Sequence, residues 1–103
     1  PPPAGMMSVA SITHVFAKGG KDLRIVVGMD DPDGLPLSGA SVTVELTDPS
    51  GAITTHQAAT GRKGDAVFSL GNVAPGNYLA TVVGAAHSDY LWDGVEVSHS
   101  FAR

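Results

Sequence analysis

Carboxylates, imidazoles and one aromatic cluster are the groups in this chain whose types and spacing suggest chemistry. Asp30, Asp31 and Asp33 crowd one short stretch, and Asp48 and Asp65 stand in other polar segments. Such oxygen donors suit a hard cation like calcium. The stretch lacks the Asp-x-Asp-x-Asp-Gly ladder and distal Glu of a helix-loop-helix calcium site, and Pro32 interrupts it, so the turn-forming habit of Asp explains the same residues. His14, His56, His87 and His99 fall in four separate segments with no His-Glu-x-x-His spacing, and the chain has no cysteine. A zinc site would need convergence in space that no spacing announces. No metal ligand and no cofactor is therefore assigned.

Catalytic signatures are missing too. There is no Gly-x-Ser-x-Gly elbow to raise a nucleophile, and no Gly-x-Gly-x-x-Gly or Walker pattern to cradle a phosphate. The expectation is a non-enzyme with no catalytic residue. What remains is Tyr90, Leu91, Trp92 and Asp93 in one polar segment. Two readings are open: Tyr90 and Trp92, with Asp93 beside them, stack on a sugar ring or anchor a protein partner, or the aromatic rings fold back to cap the core.

Any site must be held by strands. Thirteen Gly and seven Pro punctuate the 103 residues, and no window of a dozen keeps an i, i+3, i+4, i+7 apolar pattern. Leu23, Ile25, Val27 and Met29 alternate with Arg24, Val26, Gly28 and Asp30, and Val42, Val44 and Leu46 alternate with Ser41, Thr43 and Glu45. Each set reads as a half-buried strand. Further strands are expected at Met6 to Phe16, Ile53 to Thr60, Ala66 to Leu70, Tyr78 to Val83 and Val95 to Phe101, with Ala85 to Gly94 as a loop. In the first of these the alternation is ambiguous, as in an edge strand or one that changes sheets. Ile53 to Thr60 has little to bury and suits a sheet edge, whereas Tyr78 to Val83, apolar on both faces, suits a central position. Asp48-Pro49-Ser50-Gly51 carries the preferences of a type I turn. Seven strands in one domain predict an all-β fold, a seven-stranded antiparallel β-sandwich.

Charge narrows the partners. Six Lys and Arg against ten Asp and Glu give a net charge of -4, which offers no basic face for nucleic acid or an anionic membrane surface. No apolar run reaches the roughly 20 residues of a membrane span, so no membrane insertion is expected. Residues 1–7, opening Pro1-Pro2-Pro3-Ala4-Gly5, read as a proline-rich linker, and residues 8–103 as the folded domain.

Three segments carry a resemblance. Asp33-Gly34-Leu35-Pro36-Leu37-Ser38-Gly39-Ala40-Ser41-Val42 resembles the D-x-x-G-x-P-x-x-G-A-x-V signature of bacterial immunoglobulin-like and prealbumin-like β-sandwich modules. Thr60-Gly61-Arg62-Lys63-Gly64-Asp65-Ala66-Val67-Phe68 and Pro75-Gly76-Asn77-Tyr78-Leu79-Ala80-Thr81-Val82 are similar to their later turns and strands. Ser8 to Ile12 and Tyr90 to Val95 are similar to the ends of modules found C-terminal to secreted hydrolases, subtilisin-like proteases among them. The resemblance implies an immunoglobulin-like, fibronectin III-like sandwich that is secreted or displayed at a bacterial cell surface. It implies a non-catalytic accessory or spacer domain, expected as a monomer, whose partner is a neighbouring domain of the same polypeptide. The alternative is a module that binds polysaccharide or a surface protein through Tyr90 and Trp92.

Overall fold

The computed structural model describes residues 6–71, 73–88 and 90–103, so Pro1 to Gly5 of the expected linker lie outside the described residues. The strands are β1 (Met6–Ala17), β2 (Asp22–Asp30), β3 (Ser41–Thr47), β4 (Ile53–Ala59), β5 (Asp65–Leu70), β6 (Asn77–Ala86), β7 (Leu91–Trp92) and β8 (Val97–Ala102). They form two four-stranded sheets, in the orders β5-β2-β1-β7 and β4-β3-β6-β8. Apart from a single 3-10 turn at Lys18–Gly20, no helix occurs among the described residues.

The alternation seen in the sequence fixes which face of each strand is covered. Leu23, Ile25, Val27 and Met29 of β2 meet Val42, Val44 and Leu46 of β3 in one buried core with Ala66, Phe68, Tyr78, Ala80, Val82 and Phe101. The ambiguous pattern of β1 has a definite cause. Its pairing with β2 runs in step from Ser8↔Asp30 to Val9↔Met29, then slips so that Ser11 faces Gly28. One extra residue reverses the side-chain parity, so odd-numbered Met7 and even-numbered Ile12, His14 and Phe16 all turn toward the core. The strand stays in one sheet. A matching slip between Thr43 and Val44, opposite Gly84 and Val82, reverses the parity of β6, so that Tyr78, Ala80 and Val82 before it and Ala85 after it turn toward the core while Leu79 stays exposed.

Two expectations need correction. Among the described residues there are eight strands, not seven: within the segment expected to be a loop, β6 continues to Ala86 and Leu91–Trp92 pair in parallel with Met6–Met7 as β7. The last strand begins at Val97, not Val95. The Asp93 carboxylate accepts the Val95 amide at 3.0 Å, which draws that residue out of the ladder into a turn. Met6 and Met7 open β1, where the first strand is expected to start, and Met7 is fully buried.

Turn chemistry closes the rest. Gly51 donates to the Asp48 carbonyl at 3.0 Å, the i to i+3 bond of the expected turn. The Pro36 stretch folds back on β2, where Leu37 donates to the Met29 carbonyl at 3.0 Å and its side chain enters the core. β4 lies at a sheet edge and β6 between β3 and β8, as their compositions suggest. The body measures 42 × 24 × 20 Å. β1 begins at the end of the sandwich where β2 finishes (Ser8↔Asp30), and β8 finishes at the end where β6 begins (Ala102↔Asn77). β2 and β6 each start at the same end, since Leu23↔Leu70 and Thr47↔Leu79 bring the rims of both sheets together around one cavity. The polypeptide thus enters at one end of the body and leaves at the other.

Candidate functional site

The Tyr90 to Asp93 segment is positioned by β7. The Asp93 amide donates to the Met7 carbonyl at 3.0 Å, extending the parallel pairing by one bond. Gly94, at φ 78°, permits the tight turn from Asp93 to Val95. Trp92 is half-buried and packs with Tyr90 against the core cluster. Its indole N–H is buried with no acceptor among the described residues. The Tyr90 ring lies 5.2 Å from that of His87, tilted by 48°, and His87 Nε2 donates to the Ser38 carbonyl at 3.0 Å. The two rings therefore lean inward, while Leu91 and Val95 beside them stand 71% and 58% exposed. Asp93 is engaged by its own turn.

The acidic stretch is engaged in the same way. Asp31 Oδ1 accepts the amides of Asp33 at 2.9 Å and Leu35 at 3.0 Å, so its carboxylate shapes the loop that carries Pro36. Asp48 Oδ1 accepts the Ser50 and Ala52 amides, each at 3.0 Å, and the Ser50 hydroxyl at 2.6 Å. The Ser50 hydroxyl, first, and those amides hold the Asp48 carboxyl below its ordinary range, although slight burial opposes them. Among the described residues, no three His, Asp or Glu side chains converge as a metal-binding group.

Sequence reasoning missed two features. The first is a cavity of about 580 Å³ where the sheets part at the exit end of the body, lined by Leu46, Pro49, Leu70, Val73, Ala74 and Tyr78. The Tyr78 hydroxyl donates to the Ala74 carbonyl, so this polar atom is already satisfied. The cavity arises from the facing of two sheets, which leaves no local signal.

The second is a pair of histidines. His14 Nδ1 and His99 Nε2 lie 2.7 Å apart, one on β1 and the other on β8, across the open side of the sandwich. Their rings belong to an aromatic group built around Phe101. His14 stacks on Phe101 at 4.3 Å and 14°, Tyr78 stacks on it at 5.5 Å and 10°, and Phe16 meets His14 edge-on at 5.6 Å and 73°. Burial first, and then the neighbouring His99, push His14 below the ordinary histidine value, which favours its neutral form. A signal for this pair exists in the sequence: His14-Val15-Phe16 and His99-Ser100-Phe101 are the same His-x-Phe word on two strands, each placing both rings on one face.

No protein-family model matches the chain, and no curated protein matches it significantly.

Proposed function

We propose that the chain is a non-catalytic accessory domain of a secreted or cell-surface bacterial protein, which spaces or docks a neighbouring domain of the same polypeptide. The observation that carries this reading is the route of the chain, in at one end of a 42 Å body and out at the other. A domain threaded in this way holds apart whatever is joined to its two ends. The engagement of Asp31, Asp48 and Asp93 in turns agrees with it, because these carboxylates serve the backbone.

An immunoglobulin-like, fibronectin III-like topology is part of the same proposal. With β7 set aside, β3, β6 and β8 share one sheet and β1, β2 and β5 the other, which is the partition of strands C, F, G and A, B, E in such sandwiches. The fourth strand pairs with the third, not the fifth, and so joins the C-F-G side.

The decisive measurement is Trp92 emission and its quenching, read with and without insoluble polysaccharides, alongside sedimentation of the protein with them. The accessory reading expects a shielded tryptophan, an unchanged spectrum and protein left in the supernatant. Saturable retention with a shift of Trp92 emission overturns it in favour of a binding module. That second reading has its own support, the exposed Leu91 and Val95 flanking Trp92. Hydrolytic activity of the isolated chain, lost on one polar substitution, overturns both.

A further inference from the structure

The geometry points to a transition-metal site at His14 and His99, taking a borderline divalent cation such as copper, nickel or zinc through two imidazole nitrogens, with water completing the shell. The two nitrogens already face one another at 2.7 Å, a distance at which they share one proton. Two zinc–nitrogen bonds at a tetrahedral angle would hold them about 3.3 Å apart, so a small rotation of either ring exchanges that proton for a cation. Both histidines are only half-buried, which leaves room for water on the open side.

The surroundings suit the exchange. Neither β1 nor β8 contains a Lys, Arg, Asp or Glu, so no charge on either strand repels the ion or competes for it. Imidazole donors select copper, nickel and zinc over calcium and magnesium, which require oxygen. The stacked Phe101 and the edge-on Phe16 fix the His14 ring plane, so part of the orientation entropy of binding is already met. Because the ligands come from different sheets, the bound ion would tie β1 to β8, and binding would raise the melting temperature.

The test uses the full chain without an affinity tag, at about pH 7.5 where histidine is neutral. Thermal unfolding is followed while copper, nickel, zinc, calcium or magnesium is added. The expected result is a saturable rise of several degrees at the lowest concentration for copper, a rise at higher concentrations for nickel and zinc, and none for calcium or magnesium. The rise should vanish in both His14→Gln and His99→Gln and persist in His87→Gln. Should either Gln variant fail to fold, the unaltered protein still decides the matter: copper paramagnetism should broaden amide signals around Thr13 to Val15 and Ser98 to Ser100 first. Broadening centred on His56 or His87, or the absence of any metal-dependent rise, overturns the site.

Discussion

Asp48 shows how one exposed carboxylate tunes the acid stability of the fold. Its three hydrogen bonds, led by that from the Ser50 hydroxyl, exist only in the folded chain and stabilise the ionised form. The folded protein thus binds this proton less readily than the unfolded one. The contribution is complete above the unfolded value of 3.8 and is lost as pH falls through the lower folded value. Urea midpoints measured from neutral pH down to about pH 2 should fall less in Asp48→Asn than in the unaltered chain. Gly64 tests the backbone in the same spirit. At φ 78°, a Cβ there would stand 2.9 Å from Pro36 Cβ and 3.0 Å from both Leu37 N and Met29 O. Gly51, at φ 89°, meets nothing within 4 Å. Gly64→Ala should therefore cost about 2 to 4 kcal/mol in denaturant unfolding, against about 1 to 2 kcal/mol for Gly51→Ala, where only the left-handed backbone is strained.

Strands bury one face, and the energetics should follow that face. Ile25 on β2 is 1% exposed and Ile53 on edge strand β4 is 61% exposed. Ile25→Ala should destabilise by about 2 to 5 kcal/mol, while Ile53→Ala should stay within about 0.5 kcal/mol, both read from urea midpoints at constant slope. This difference was legible in the sequence, since Leu23 to Met29 alternates without interruption and Ile53 leads a Thr-rich run. The seven longer strands could be read for the same reason: each carries its own periodicity or its own turn. β7 could not, because two residues hold no period and Leu91–Trp92 become a strand only by pairing with Met6–Met7 far away in the chain. Val95 was misplaced because its apolar character fits a strand, whereas the neighbouring Asp93 carboxylate captures its amide. The cavity and the histidine pair depend on how two sheets face each other. The repeated His-x-Phe word hinted at the pair, but not at which strands would meet.

Across the whole molecule, the hairpins β1–β2 and β3–β4 are joined through distant partners: β1 with β7, β3 with β6, and β2 with β5 across the β3–β4 hairpin. Loops must close before these contacts form, so stopped-flow refolding should take milliseconds to seconds, not microseconds. A refolding phase completed within the mixing time would contradict this topology. The opposite placement of the entering and leaving strands has a further consequence under load. A pull on the two ends draws β1 lengthwise against β2 and β8 lengthwise against β6. Ladder hydrogen bonds lie across the strands, so all of them bear such a tug together and none can be peeled open first. The domain is thereby oriented to resist stretching along the direction in which its polypeptide runs, and the weakest link under tension is the whole ladder between β8 and β6, the shorter of the two.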